Sequence, residues 1–330
     1  MLPAVAPRPR RRWKKILLIS ALVVGVLAGA ATLSAGLWYH SINSGIARVD
    51  AFEDVPVESR PEKVAPKAMN MLLLGSDSRD PDLTGSRTDS IILAHLPGDR
   101  SSAQLISIPR DTWLHVPATK DGRAGNRDAK VNAAFAWGGA ALMVQTVEAF
   151  TGVRIDHVML IDFAGFQQII DAVGGIDINV DRSFTSIHSP FRRFTKGAMH
   201  MDGATALDYA RQRKQFPDGD FTRIKHQQQL IKSVLDKAAS TGLLTNPGRL
   251  NTFVRATTNA VTVDKTLSVL DTSMELRHLR AGNMTFLTSP SRGTGKIGTE
   301  SVVFADTEKA KTFYDAVRRD AVTELSSASN

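Results

Sequence analysis

Two aspartates, Asp77 and Asp89, flank a charged loop that reads GSDSRDPDLTGSRTDSI over residues 75–91. Asp77 follows the strand-like run MLLLG, and Asp89 precedes the strand-like run SIILAHL. If the two strands pair, both carboxylates lie at one edge of the sheet. Such oxygen ligands suit Mg²⁺, which takes one or two carboxylates and completes its shell with water and substrate phosphate. The alternative is a solvated loop with local turn hydrogen bonds, the assignment we give Asp80 and Asp82.

A set of basic residues further along the chain favours the chemical interpretation. Arg110 follows a predicted strand end in ISIPRD, a position where open α/β sheets bind ligands. Arg211 and Arg213 are two positions apart, so an extended segment would direct both guanidinium groups to one side. Arg223 and Gln227 are spaced i, i+4 near the start of a predicted helix. Because arginine holds two phosphate oxygens at once and stays charged, these residues together with the acids predict phosphoryl chemistry.

Short apolar runs alternate with helical patterns from residue 69 onward, which predicts an α/β domain with helices covering a central sheet. We predict strands at MLLLG, SIILAHL, AQLISI, HVMLI and IDINV, and later at MTFLTS and ESVVFA. Helices are predicted at VNAAFAWGGAALMVQTVEAF, ending near Gly152, and at FAGFQQIIDAV, ending at Gly174. Because no strong linker divides this part, we assign residues 69–322 to one domain and residues 323–330 to a C-terminal tail.

The overall charge of the chain does not indicate a nucleic-acid-binding protein. The net charge is +8 over 330 residues, but six of the positive charges lie in the first fifteen residues, where there is no acid. The rest of the chain is nearly neutral, so the basic surface that binds DNA or RNA is not expected. The chain has no cysteine, which excludes a disulfide framework and any cysteine-based metal or redox site.

Residues 16–38, ILLISALVVGVLAGAATLSAGLW, are uncharged and long enough to cross a bilayer as a helix. The basic residues before them predict that residues 1–15 are cytoplasmic and that the rest of the chain is outside. A cleaved signal peptide is the alternative, because ATLSAG resembles a cleavage site. We prefer an uncleaved anchor, since the apolar region of a signal peptide is typically only ~7 to 15 residues. Residues 39–68, with three prolines among charges, are predicted to be an extracytoplasmic stalk.

Several motifs in one order resemble the LytR-CpsA-Psr family of cell-envelope phosphotransferases. Behind the anchor come LLLGSDSR, GSRTDSIILA, LISIPRDTW, KVNAAFAWGG, GGIDINV, LDYARQRK and DGDFTRIKHQQQLI, which cover most of residues 69–240. The resemblance implies a membrane-anchored extracytoplasmic enzyme that uses Mg²⁺. Its donor would be a glycopolymer on a polyprenyl-pyrophosphate carrier, and its acceptor peptidoglycan, joined through a phosphodiester. The implied fold is an α-β-α sandwich with a central mixed sheet and an apolar cavity for the lipid.

The resemblance also assigns roles to individual residues. Asp77 and Asp89 match the acids of the metal site, and six residues match those that surround the pyrophosphate: Arg87, Arg110, Arg211, Arg213, Arg223 and Gln227. The catalytic set implied in this way is Asp77, Asp89, Arg87 and Arg110. Asp111 is expected to pair with an arginine and orient it. The sequence departs from the family at His226, where the family often has arginine; this histidine either reaches the phosphates or is a solvated helix residue without a role.

Two other functions remain open at this point. A lipid pyrophosphate hydrolase would use the same charged site with water as the acceptor. A non-catalytic envelope regulator or glycan-binding protein would need no reaction at that site. A regulator that acts on DNA is not expected, because fifteen residues before the span are too few to fold into a recognition module.

Overall fold

The computed structural model describes residues 45–77, 88–240, 246–276 and 279–321. The expected cytoplasmic tail, membrane anchor and C-terminal tail lie outside the described residues, and so does Arg87. Among the helices within the described ranges, none has the length and hydropathy needed to cross a membrane.

The strands of the described residues are numbered in chain order. They are β1 (Ala47–Val49), β2 (Met69–Ser76), β3 (Thr88–Leu96), β4 (Ala103–Ser107), β5 (Thr112–Val116), β6 (Arg127–Lys130), β7 (His157–Asp162), β8 (Ile176–Val180), β9 (Phe184–Thr185), β10 (Arg193–Phe194), β11 (Gly197–Met201), β12 (Val261–Asp264), β13 (Met284–Thr288), β14 (Ser291–Ile297) and β15 (Glu300–Ala305). The helices are α1 (Asn132–Thr151), α2 (Phe163–Ala172), α3 (Gly203–Arg211), α4 (Asp220–Ser240), α5 (Pro247–Ala260), α6 (Val269–Glu275) and α7 (Thr307–Arg318).

A seven-stranded mixed sheet forms the centre of the fold, in the order β1-β12-β7-β2-β3-β4-β13. Strand β2 pairs parallel with β7 and antiparallel with β3, which in turn pairs antiparallel with β4. A second sheet has the order β14-β15-β5-β6, and two hairpins pair β8 with β11 and β9 with β10. The predicted α/β fold with a central sheet is therefore confirmed. The predicted strand IDINV is also confirmed, but as β8 it pairs outside the central sheet.

Helices pack on both faces of the central sheet, because successive side chains of a strand point in opposite directions. Leu72 and Leu74 of β2 belong to a core that includes Met143 of α1 and Phe313 of α7. Met71, on the opposite face, belongs to a separate core against which α4 and α6 also pack. This second face of the sheet carries the candidate functional site.

The helix predicted at VNAAFAWGGAALMVQTVEAF is confirmed as α1, with a bend that the periodicity did not predict. Gly139 has a φ of 60° inside this helix, in the left-handed region that glycine adopts without steric cost. The helix ends at Gly152, as predicted, where a φ of 66° lets the backbone amide of this residue bond the carbonyl of Glu148.

The folded unit begins earlier than the expected boundary at residue 69. It extends from Ile46, and β1 pairs parallel with β12, more than two hundred residues along the chain. Val49, Ala51 and Val55 are buried in the main core. Residues 46–68 are therefore part of the fold and not a free stalk. The sequence did not predict this extension of the fold, because β1 is only three residues long and its pairing partner is distant in sequence.

An ion pair fastens this N-terminal segment to α1. Arg60 Nη2 donates to Glu148 Oε1 at 2.7 Å and to the Ile155 carbonyl at 2.5 Å, while its Nε lies 3.1 Å from Glu148 Oε2. The Glu148 carboxylate is 1% exposed and also accepts the Ile155 amide at 2.8 Å. A buried pair with this many hydrogen bonds is costly to break, because each group has given up its water.

We expect Glu148→Ala to lower the free energy of unfolding by about 3 kcal/mol, since it leaves the Arg60 guanidinium buried without its anion. Denaturant unfolding followed by circular dichroism measures this. Asp128→Ala is the control, because Asp128 pairs with His115 on the surface and should contribute little. Equal effects of the two substitutions would show that residues 46–68 do not stabilise the domain.

Candidate functional site

A cavity of about 590 Å³ lies between the second face of the central sheet and helices α2 to α5. Its walls are mainly aliphatic and aromatic side chains. The sheet contributes Leu73, Ile92, Leu105 and Met159, and the helices contribute Phe166, Leu207, Leu230 and Ile231. A cavity of this size and apolar character suits a ligand with a hydrocarbon portion.

Charged and polar side chains line another part of the same cavity. They include Asp89, Asp162, Arg110, Arg211, Arg213, Lys214, Arg223 and Gln227. The cavity therefore joins a cationic region to an apolar one. An anionic head group with a hydrocarbon tail has the matching distribution of polarity.

Helix α4 shows this change of polarity along one of its faces. Arg223, Gln227, Leu230, Ile231 and Leu235 all line the cavity, at positions i, i+4, i+7, i+8 and i+12. These spacings place the residues on one side of a helix. At about 1.5 Å per residue, the face extends about 18 Å from the charged end to the apolar end. The helical spacing of Arg223 and Gln227 predicted from the sequence is thus confirmed.

A β-bulge presents Asp89 to the cavity. In the β2–β3 ladder Gly75 pairs with Ser90 but Ser76 pairs with Thr88, which leaves Asp89 as an extra residue. A bulge redirects the side chain of its extra residue out of the regular alternation. Asp77 follows the last residue of β2, so the two acids lie at the same end of the hairpin, as predicted, but Asp77 is exposed and does not line the cavity.

A tight turn after β4 holds Arg110. Thr112 closes the turn, because its amide and its hydroxyl both donate to the Pro109 carbonyl, at 2.9 and 2.6 Å. The Arg110 carbonyl accepts the Asn132 amide at 3.2 Å, which joins the turn to the start of α1. In this position Arg110 Nη1 donates to Asp89 Oδ1. Arg110, in the turn after β4, and Asp89, in β3, are therefore an ion pair, and both were predicted to belong to the site.

The carboxylate of Asp220, the first residue of α4, lies among three arginines. Its Oδ1 is 2.6 Å from Arg223 Nη2, 3.6 Å from Arg213 Nε and 4.0 Å from Arg110 Nε. The side chain is 2% exposed. Burial raises the pKa of Asp220, and the Arg223 charge opposes that rise. Burial likewise lowers the pKa of Arg223, and Asp220 opposes that change.

The arginines of this cluster keep unused hydrogen-bonding capacity. Within the described part of the chain, the buried Nε atoms of Arg110 and Arg223 make no hydrogen bond. The contacts to Asp220 are thus mainly electrostatic. Buried donors without partners are uncommon, so these two point to a ligand that would supply acceptor oxygens.

Asp111 pairs with an arginine, as predicted. Its Oδ2 accepts from Arg213 Nη2 at 2.6 Å, and its side chain is 7% exposed. Arg213 is thus held by two carboxylates, Asp111 and Asp220. It also lines a second, smaller cleft of about 130 Å³, whose other lining residues include Asp218, Thr294 and Ser301. Arg213 therefore borders the main cavity on one side and a polar cleft on the other.

Arg211 and Arg213 do both line the cavity, although the predicted extended segment is only partly correct. Arg211 is the last residue of α3, which starts at a cap where the Asp202 carboxylate accepts the Thr205 amide. Gln212, the residue after this helix, is extended, with φ −67° and ψ 129°. Its side chain is buried, while the arginines on either side turn to the cavity. The Arg211 guanidinium lies 4.9 Å from the centre of the Phe163 ring.

Comparison with known proteins identifies the family. A sequence profile of the LytR_cpsA_psr family matches residues 39–319. The chain belongs to this family. It is 34% identical over 233 residues to "Polyisoprenyl-teichoic acid--peptidoglycan teichoic acid transferase TagU" of Bacillus cereus, covering 68% of this chain and 73% of TagU.

Two further relatives support the assignment to the LytR_cpsA_psr family. "Cell wall biosynthesis protein LcpA" of Corynebacterium glutamicum is 29% identical over 342 residues, covering 93% of this chain but only 64% of LcpA. The chain thus spans less than two thirds of that relative. The crystal structure of B. subtilis TagV is similar with a TM-score of 0.64 and 26% identity, covering 80% of this chain and 98% of TagV.

In this LytR_cpsA_psr member, His226 neither reaches the cavity nor is solvated, so both interpretations made from the sequence are wrong. It is 3% exposed, and its ring stacks on Tyr209 with centroids 4.0 Å apart. Phe216 packs edge-on against it at 5.4 Å. Burial lowers the pKa of His226 to about 4. The histidine is therefore an uncharged member of an aromatic core on the other side of α4.

Sequence reasoning missed two residues of the site. Lys214 lines the cavity beside Arg213. Asp220 holds the arginine cluster together, and the available signal was its position three residues before Arg223 at a helix start. Of the predicted set, the structure brings together Asp89, Arg110, Arg211, Arg213, Arg223 and Gln227.

The buried histidine predicts a specific dependence of stability on pH. Its folded pKa of about 4 lies below the ordinary value near 6.5, so the neutral form is favoured in the folded state. The stabilisation is complete above ~6.5 and is lost as the pH falls toward the folded pKa. Between pH 7 and pH 5 this amounts to about 2 kcal/mol.

We expect His226→Phe to remove this part of the pH dependence, because phenylalanine keeps the aromatic packing without a titrating nitrogen. Denaturant unfolding at pH 7 and pH 5 measures the difference between variant and wild type. His200→Phe serves as the control, since His200 is exposed and pairs with Asp177 on the surface. If His226→Phe and wild type lose equal stability on acidification, the histidine titrates normally and the buried, neutral assignment is wrong.

Proposed function

We propose that the protein is a membrane-anchored, extracytoplasmic phosphotransferase that moves a glycopolymer from a polyprenyl-pyrophosphate carrier to peptidoglycan through a phosphodiester bond. One observation carries this proposal: the cavity joins an arginine cluster to an apolar interior. A polyprenyl pyrophosphate has the same two parts, an anionic head and a hydrocarbon chain. Soluble sugar phosphates would leave the apolar walls unused.

The names of two relatives support the choice of donor and acceptor. TagU is named for transfer between a polyisoprenyl-linked teichoic acid and peptidoglycan, and LcpA for cell wall biosynthesis. For this chain we propose a donor and an acceptor of the same general classes.

The arginines would bind the pyrophosphate, since guanidinium groups form paired hydrogen bonds with phosphate oxygens. Arg110 and Arg223 offer free Nε donors, while Arg213 is already oriented by Asp111. Arg211, Lys214 and Gln227 border the same space. Arg87 is proposed from the family resemblance alone. Because Asp220 fixes the cluster before the donor arrives, little rearrangement would be needed on binding.

The acids fit an open magnesium site. Asp89 lines the cavity, and Asp77 follows the neighbouring strand end. In the described residues no group of three His, Asp and Glu side chains could enclose a metal by itself. Mg²⁺ commonly takes only one or two carboxylates and completes its shell with phosphate and water. Held there, the ion would neutralise charge on the phosphate oxygens.

The reaction would exchange one phosphorus–oxygen bond for another. An acceptor hydroxyl attacks the phosphorus nearest the glycan, its proton passes to a carboxylate, Asp77 or Asp89, and polyprenyl phosphate departs. Negative charge builds on the departing phosphate, where Arg110, Arg213 and Arg223 would stabilise it. Removal of one such contact commonly costs ~3 to 4 kcal/mol of barrier.

The anchor at residues 16–38 would hold the domain outside the cytoplasm, as the basic residues before the span suggest. A phosphatase or β-lactamase reporter, which works only outside the cytoplasm, should therefore be active when it is fused after Asn330. A reporter that fluoresces only in a reducing compartment, fused at the same position, is the matched control and should remain dark. Fluorescence of this control together with an inactive phosphatase fusion would contradict the proposed location.

The decisive experiment supplies the full chain in proteoliposomes with a lipid-pyrophosphate glycan, Mg²⁺ and peptidoglycan oligomers. We expect glycan to become covalently attached to peptidoglycan, detected by mass spectrometry, and Asp89→Asn to abolish attachment without unfolding the domain. Asp236→Asn, on the exposed side of α4, is the control. Release of free glycan phosphate would instead indicate a hydrolase. If glycan is neither attached to peptidoglycan nor released by water, a non-catalytic role is favoured.

Arg213 should not be replaceable by lysine. Its guanidinium reaches Asp111 and Asp220 at once, at 2.6 and 3.6 Å, and an ammonium group lacks this planar fork. We expect Arg213→Lys to lower kcat/KM about 100-fold, the usual loss when one electrostatic contact is removed. Arg255→Lys, on the exposed surface of α5, should retain the wild-type value. A wild-type rate for Arg213→Lys would exclude a role in bidentate phosphate binding.

A further inference from the structure

The hairpin of β9 and β10 exposes two large apolar side chains beside the cavity. Ile187 is 42% exposed and Phe191 is 63% exposed, at a tip of seven residues, 186–192. Ile187 and His188 also line the cavity. Two exposed apolar side chains on one short loop, one of them lining a ligand cavity, are a feature of surfaces that contact a partner or a membrane.

The base of this tip is firmly held. Ser186 Oγ donates to Asp208 Oδ1 at 2.7 Å and accepts from Gln212 Nε2 at 2.9 Å, and all three residues are buried. The Ser186 amide donates to the Arg192 carbonyl at 2.8 Å, which closes the loop. The exposed side chains are thus carried by a fixed base.

The fixed tip directs Phe191 to solvent. Its amide donates to the His188 carbonyl at 2.6 Å, and its φ is 59°. A large aromatic residue seldom adopts this left-handed conformation. The residue is nevertheless 63% exposed. The ring is therefore displayed outward.

The surroundings of the tip are basic. The segment 182–196 contains Arg182, Arg192, Arg193 and Lys196 and no acidic residue. Arg182 pairs with Asp181 and Arg192 with Asp208. Arg193 and Lys196 are exposed, and neither side chain forms an ion pair with a described residue. Apolar side chains among cationic ones are the combination that binds the surface of an anionic bilayer.

We infer that this tip inserts Ile187 and Phe191 into the surface of an anionic lipid bilayer and so places the opening of the cavity against the membrane. The lipid part of the donor could then enter without crossing water. This last step rests on the proposed function, whereas contact of the tip with the bilayer does not. The Arg193 and Lys196 side chains would meet the phosphate groups of the lipids.

The absence of cysteine makes a direct test possible. Phe191→Cys in the full chain gives a unique attachment point for an environment-sensitive fluorophore. Met274→Cys is the matched control, since Met274 is also 62% exposed but far from the hairpin in sequence. Both labelled proteins are reconstituted into vesicles that contain an anionic phospholipid. Quenchers attached to the lipid acyl chains then report insertion.

We expect several-fold stronger quenching and a blue-shifted emission at position 191 than at position 274, with both effects reduced in purely zwitterionic vesicles. Equal quenching at the two positions would overturn the inference. Equal quenching in the two lipid compositions would overturn its anionic part. A shift at position 191 only after addition of peptidoglycan fragments would assign the tip to the acceptor and would also overturn it.

A second measurement links the tip to turnover. Phe191→Asp should lower kcat/KM about tenfold for a long-chain donor in the bilayer and leave it unchanged for a short-chain, water-soluble donor. An equal loss with both donors would show a role in folding or catalysis and would contradict bilayer docking. If neither the wild type nor the variant transfers glycan, the proposed function is wrong. The quenching result still decides whether the tip enters the membrane.

Discussion

The arrangement of this site depends on one buried anion, the carboxylate of Asp220. Three guanidinium groups lie 2.6, 3.6 and 4.0 Å from its Oδ1. Without the carboxylate they would repel one another in a poorly hydrated space. Asp220 offsets this repulsion, and it also connects three separate parts of the chain: the turn after β4, the loop after α3 and the start of α4. Their relative positions are thus set by charge as well as by packing.

The site holds more cations than carboxylates. The five cations are Arg110, Arg211, Arg213, Lys214 and Arg223, and the four carboxylates are Asp89, Asp111, Asp162 and Asp220, which leaves one positive charge. A site that is already neutral would gain little from binding an anion. This one keeps both net charge and unused Nε donors, so a diphosphate would complete it. The apolar wall then decides which diphosphate, because only a hydrocarbon-bearing ligand would cover Leu230, Ile231 and Leu235.

The sequence predicted residues at strand ends well, for a physical reason. Asp89 and Arg110 follow or precede strongly apolar strands, and the sheet necessarily brings such positions to one edge. The sequence did not predict structural features that depend on contacts between distant segments of the chain. Residues 46–68 look polar and irregular, yet Arg60 finds a buried partner in Glu148. His226 occupies a polar stretch, and only the fold reveals that Tyr209, Phe184 and Phe216 surround it.

The end of α3 joins the charged site to the hairpin tip. Gln212 is extended between two arginines, so its side chain points away from theirs. It binds Ser186 at the base of the hairpin, and Asp208, one turn earlier, binds the same hydroxyl. Meanwhile Arg211 and Arg213 face the cavity. A displacement of the tip would therefore act on Gln212 and, through the backbone, on both arginines. The same short segment thus holds two arginines that we propose bind the donor phosphates and the element that we place at the membrane. It would therefore fix the distance between a lipid surface and those phosphates.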